Sequence, residues 1–214
     1  MGVLTSTAAY SWDADEEVAV RVPEPHGDLY GHGTACAGII RRAAPRCSLH
    51  SVRVLGSRLS GKGQVFEAGL RHAISSGARV VNLSLSTGRP EFFSIFHELA
   101  DEAFFRGVVL VCAVNNVPSP SYPSQFSAVI SVAANDAAGP FDLDCNPAPP
   151  AEFGAPGIGV VVPWLGGGQI EATGNSFAAP HVTGLVARLL SKHPGLTPYE
   201  VKTVLRAVSR NAIR

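Results

Sequence analysis

Two stretches of this chain, Val80–Leu85 and Val108–Val114, read as apolar runs, and a helical pattern lies between them. A strand with one wet face alternates apolar and polar residues; an apolar run is typical of a strand buried on both faces. Such strands need cover above and below, and the pattern supplies it. Gln64–Ser75 reads as a helix closed by Gly77. Glu91–Phe105 is a second, with Phe92, Phe96, Leu99 and Ala103 on one face and Gly107 at its end. Ser51–Leu55, Val129–Ala133 and Gly159–Val162 read as further strands. Two late helices follow: one behind Ser176, stopping before Pro194-Gly195, and one opening at Thr197-Pro198-Tyr199-Glu200. The latter is a capping box with proline at the first helical position. This alternation predicts an α/β fold, a three-layer sandwich with a mostly parallel central sheet and helices on both faces. Neither an internal repeat nor a linker divides the 214 residues, a length that suits one domain over 1–214. Residues 1–29 fit the alternation poorly and are expected to form a divergent loop or edge segment.

Composition narrows the function. Seventeen basic residues balance seventeen acidic ones, which gives no support to a nucleic-acid partner. No stretch is apolar for long enough to span a bilayer, so no membrane role is expected. No basic start leads into an apolar run, so the chain as given shows no signal peptide, and a genuine start would make it cytoplasmic. Cys36, Cys47, Cys112 and Cys145 lack the paired spacing of a zinc site. His26, His50, His72, His97, His181 and His193 have no metal-ligand spacing either. No metal and no cofactor is expected.

The segment Thr173-Gly174-Asn175-Ser176-Phe177-Ala178-Ala179-Pro180-His181 carries the chemistry. Ala178, Val182, Leu185, Val186 and Leu189 behind it form one apolar helical face. Proline is harmless in a first helical turn, so Pro180 is expected to place the helix start close to Ser176. A nucleophile fits there, where backbone N–H groups and the helix dipole favour developing negative charge. Taken alone, the block is more often a plain N-cap, since most serines before helices are only that. Upstream, His32 lies between Gly31 and Gly33 at another apolar helix start; alone, it would more often be a structural histidine.

Taken together, His32-Gly33-Thr34 and the later Gly174-x-Ser176-x-Ala178-x-Pro180-His181 block resemble the subtilases, the subtilisin-like serine proteases, in that family's order of His before Ser. The resemblance runs from Tyr30 to about Leu205. It implies a serine endopeptidase acting on polypeptides, with Ser176 as nucleophile and His32 as general base. Leu110–Asn116 resembles the strand end that carries the oxyanion asparagine. Asn116 is favoured for that role, and Asn115 stands where the family has glycine. Gly61, Gly63, Ser84, Leu85 and Ser86 resemble the two segments that hold an extended substrate between them. Asn175 replaces the family's usual threonine, with a modest effect expected.

The family's third member, an aspartate ending an apolar strand ahead of a glycine turn, has no counterpart here. Asp13 and Asp15 follow no apolar strand and read as solvated loop charges, and Asp28 lies too near His32 in sequence. Two readings remain, a chain whose N-terminal strand is missing and a degenerate relative. The first is favoured because every later element keeps its order. Loss of the aspartate would cost ~10⁴ in rate, and loss of its strand would leave unpaired sheet edges. An α/β-hydrolase would place its serine before its histidine, which this chain does not. The rival that remains is a pseudoprotease that binds extended peptides without cleaving them.

Overall fold

The computed structural model describes residues 5–23, 26–146 and 151–212. Its first elements are β1 (Ser6–Asp13), β2 (Val18–Val22), α1 (His32–Ala43), β3 (His50–Arg53), α2 (Gly63–Ser75) and β4 (Val80–Leu83). Next come α3 (Phe93–Phe105), β5 (Val109–Ala113), β6 (Ile130–Asn135), β7 (Asp144–Cys145) and β8 (Phe153–Pro156). β9 (Val160–Pro163), β10 (Gln169–Ala172), α4 (Asn175–Lys192) and α5 (Pro198–Val208) complete the chain.

The central sheet runs β4-β5-β6-β8-β7, parallel except for β7 at its edge. β5 is buried along its whole length, and its alternation divides the core. Leu110 and Cys112 join Phe66, Leu70, Phe96 and Leu99 of α2 and α3 on one face. Val109, Val111 and Ala113 join Ala178, Val182 and Val186 of α4 and Val201 and Leu205 of α5 on the other. The chain is thus the three-layer α/β sandwich that the sequence predicts. The capping box at Thr197 is formed, with the Thr197 hydroxyl accepting from Glu200 N–H and the Glu200 carboxylate accepting from Thr197 N–H.

The N-terminal region departs from expectation. Among the described residues of the segment expected as a divergent loop or edge, Ser6–Asp13 and Val18–Val22 form an antiparallel hairpin with β2 at a sheet edge, and β1 pairs in parallel with β3. Residues 1–4 and 24–25 of that segment lie outside the described residues. The turn is made without glycine. The Asp13 carboxylate accepts from the N–H groups of Asp15 and Glu16, and Glu17 takes the left-handed conformation at φ 51°. The resulting sheet, β2-β1-β3, is separate from the five-stranded one. β3 and β4 are joined through α2 as a strand–helix–strand unit, yet among the described residues they do not pair.

α1 packs along α4, and a glycine permits the approach. A Cβ on Gly184 would lie 2.5 Å from the Ala43 Cβ and 3.2 Å from the Ile40 carbonyl oxygen. Alanine is favoured over glycine in a helix by about 1 kcal/mol, while overpacking a tight contact costs about 1–3 kcal/mol. Gly184→Ala is therefore expected to lower the urea midpoint by a net loss of up to about 2 kcal/mol. A stabilised variant would show that the crossing is looser than this.

Candidate active site

The sequence brings Ser176 to the N-terminal turn of α4 and His32 to the first position of α1. The packing of α1 on α4 puts both on one cleft. The cleft has a volume of about 440 Å³, and its walls include His32, Ser176 and Asn116. Gly61 and Gly63 line it on one side, and Ser84, Leu85 and Ser86 line it too. Every site residue expected from the sequence thus borders a single cavity.

Pro180 sits deeper in α4 than expected. It is the sixth residue of the helix, beyond the first turn, so its missing N–H leaves the carbonyl four residues earlier without a helical donor. That carbonyl belongs to Ser176. The Ser84 hydroxyl donates to it at 2.7 Å, and the Cys36 thiol lies 3.7 Å away. Asn82 Nδ2 in turn donates to Ser84 Oγ at 2.9 Å, and Asn82 Oδ1 accepts from the Thr183 hydroxyl. The serine's backbone is therefore fixed from β4, and the Ser84 side chain is part of the scaffold.

His32 follows Gly31, whose φ of 115° and close approach to the Trp164 indole exclude a side chain there. Asp28 holds this entry to α1. Its carboxylate accepts from the N–H groups of Tyr30 (3.0 Å), Gly31 (2.8 Å) and Thr34 (2.7 Å), and from the Thr34 hydroxyl (2.7 Å). Partial burial works against its ionisation. The donors from Gly31, Tyr30 and Thr34 outweigh it and hold the Asp28 carboxyl below the usual range. The His32 ring packs on Phe177, with centroids 5.2 Å apart, and its Nδ1 lies 3.8 Å from the Cys36 thiol. Burial lowers the His32 pKa, and the Asp28 charge offsets part of that. The ring is accordingly neutral at neutral pH, the form in which it can accept a proton. Burial pushes the Cys36 thiol up to about 12, so it stays protonated.

The two neighbouring asparagines are separated by their bonds. Asn115 Nδ2 donates to Ser119 Oγ and its Oδ1 accepts from Val117 N–H, so its side chain shapes the turn. Asn116 Oδ1 accepts from Asn175 N–H at 3.0 Å. Only the oxygen can accept, so this bond fixes the amide and leaves Nδ2 as the donor of a residue that lines the cleft.

The subtilase family model matches residues 4–212 of this chain. The chain belongs to the subtilase family. Subtilisin DY of Bacillus licheniformis is 31% identical over 199 residues, covering 86% of this chain and 72% of its own. Subtilisin E of Bacillus subtilis is 30% identical over 200 residues; the match covers 86% of this chain but only 52% of that protein. The crystal structure of a cold adapted subtilisin-like serine proteinase shares the fold with a TM-score of 0.75 at 23% identity. It covers 97% of this chain and 76% of that one.

In this subtilase, two features differ from what the sequence suggested. Asn175 is more than a tolerated exchange. Its Oδ1 accepts from Ala134 N–H at 2.8 Å, and its Nδ2 donates to the carbonyls of Val114 (3.2 Å) and Asn115 (2.9 Å). It ties the ends of β5 and β6 to the turn that carries Ser176. An amide beside a catalytic-looking serine was the signal, but its partners lie 41 to 61 residues away. Gly63 is not part of an extended segment. It begins α2, where a Cβ would fall 2.1 Å from the Phe92 ring, so the extended stretch ends at Lys62. None of the three acids considered for His32 reaches the ring with a hydrogen bond; Asp28 acts on it through charge alone.

Two outcomes follow for the subtilase scaffold. Ser84→Ala leaves the Ser176 carbonyl short of its donor and is expected to cost about 1–3 kcal/mol of unfolding free energy. In a Pro180→Ala background the restored N–H supplies that donor, so the same change should cost less. Strict additivity in urea denaturation would contradict this coupling. Asp28→Asn removes the charge that raises the His32 pKa, so the midpoint of its NMR titration should move further down. A midpoint that stays or rises would show that Asp28 does not act on the ring.

Proposed function

We propose that this chain is a single-domain serine endopeptidase that hydrolyses peptide bonds through an acyl-enzyme. The observation that carries the reading is the cleft that Ser176, His32 and Asn116 line together with Gly61 and Ser84–Ser86. An extended polypeptide binds with its main chain between Gly61-Lys62 and Ser84–Ser86, as an added strand. Ser176 Oγ attacks the scissile carbonyl. His32 takes the hydroxyl proton on Nε2, the nitrogen away from Cys36, and returns it to the leaving amine. The tetrahedral oxyanion is held by Asn116 Nδ2 and by the Ser176 N–H, one of the helix's first N–H groups. Water then attacks the acyl-enzyme by the same route in reverse.

A fluorophosphonate probe with peptide mapping tests the assignment. Labelling is expected at Ser176, absent in Ser176→Ala and slower by ~10²-fold or more in His32→Ala. Asn116→Ala should lower turnover of a peptide substrate by ~10²–10³, the loss that removing such a donor causes in subtilisin. Extended peptides that bind the cleft with Ser176 unlabelled would favour a binding protein without catalysis. The Cys36 thiol in place of a carboxylate at His32 Nδ1 is what keeps that second reading in play.

A further inference from the structure

His32 is the first residue of α1, and part of what fixes it there lies outside the cleft. β9 and β10 form a two-stranded antiparallel sheet of their own, with Val160 opposite Ala172 and Pro163 opposite Gln169. One end of this hairpin runs through Thr173 and Gly174 into Ser176. The other end carries Pro163 and Trp164, and both are seated on α1 where glycine leaves room. A Cβ on Gly38 would overlap the Pro163 ring, and a Cβ on Gly31 would lie 2.5 Å from the Trp164 indole. Gly31 and Gly38 are about two helical turns apart, so they open on one face of α1.

Trp164 is itself held in place. Its N–H donates to the Gly168 carbonyl at 2.9 Å, and its carbonyl accepts from Gly167 N–H at 3.3 Å. Gly166 and Gly167 make that turn at φ 77° and 83°. The Tyr30 ring meets the indole edge-on, with centroids 5.6 Å apart. At the open end of the hairpin, Gly159 N–H donates to the Thr173 hydroxyl oxygen at 2.9 Å. Ala35, Ile39, Val162 and Phe177 bury a small core behind the contact, and Trp164 packs against it. Phe177 in turn packs on the His32 ring. The peptide ahead of His32 thus rests on Trp164 and its ring on Phe177, within one unit that also leads into Ser176.

We propose that Trp164 is a positioning residue: by packing on Gly31 it sets His32 against Ser176, and the β9–β10 hairpin is the rigid piece that holds the two groups in register. The catalytic consequence rests on the peptidase reading above. Trp164 does not line the cleft, so its loss acts on turnover and leaves the substrate walls in place. A shift of about 1 Å in a reacting group can cost ~10²-fold in rate.

The test compares the full chain with its Trp164→Ala and Trp164→Phe variants. NMR of the histidine rings reads placement without any turnover, and an internally quenched peptide substrate reads kcat and KM. Trp164→Ala should shift and broaden the His32 ring signals. Those of His181, buried in the helix that carries Ser176, should stay unchanged and so report that the fold is intact. Turnover by Trp164→Ala should fall ~10–10²-fold in kcat with KM within about twofold. Trp164→Phe, whose ring still covers Gly31, should recover most of that loss. Unmoved His32 signals in Trp164→Ala, equal disturbance of His32 and His181, or a rise in KM at constant kcat overturns the inference. Unmoved His32 signals with normal fluorophosphonate labelling of Ser176 overturn this inference alone and leave the peptidase reading intact. Displaced His32 signals in a protein whose Ser176 resists the probe even without substitution would overturn the peptidase reading and leave the placement of His32 by Trp164 standing.

Discussion

The Ser176 carbonyl is the point on which this structure turns. Pro180 withholds the N–H that α4 would otherwise give it, and burial makes an unmet acceptor costly. Ser84 meets the need from the end of β4, with Asn82 behind it and Cys36 alongside from α1. One backbone oxygen therefore joins the helix that carries Ser176, the strand that borders the cleft and the helix that begins at His32. Because Ser176 itself owns that oxygen, the fold's rigidity is delivered at the residue whose side chain has to be placed. Asn175 adds a second anchor on the other side, from the ends of β5 and β6.

Electrostatics follows from the same packing. His32 is covered by the α1–α4 contact and by Phe177, which keeps it neutral at neutral pH, and the Asp28 charge restrains that effect. Asp28 is engaged by the helix start, so it influences the ring without gripping it. A base held this way is available but poorly steadied once protonated.

Much of this was legible in the sequence because the informative signals are local. The apolar runs of β4 and β5, the caps at Thr197 and the periodicity of α2 and α3 are set by neighbouring residues, and they placed the core correctly. Ser176, His32 and Asn116 stood out through their order and their small-residue surroundings, and they line one cleft. The β1–β2 hairpin was not, because its turn uses Asp13 and a left-handed Glu17 instead of glycine, and Ala8, Ser11 and Trp12 blur the alternation. β8 has no strand pattern of its own because Gly154 and Pro156 dominate four residues, and its pairing with β6 is what makes it a strand. The position of Pro180, and the partners of Ser84 and Asn175, are tertiary facts with no trace in spacing. The division of the sheet is of that kind too, since an unpaired edge is visible only once both neighbours are placed.

The central claim is that His32 is the base that activates Ser176. Its most direct test combines an NMR titration of the His32 ring with the pH dependence of Ser176 phosphonylation on the same protein. The account predicts one shared midpoint, below the ordinary histidine value of 6.5, with labelling lost as the ring is protonated. Labelling that is unchanged across the His32 titration would contradict it.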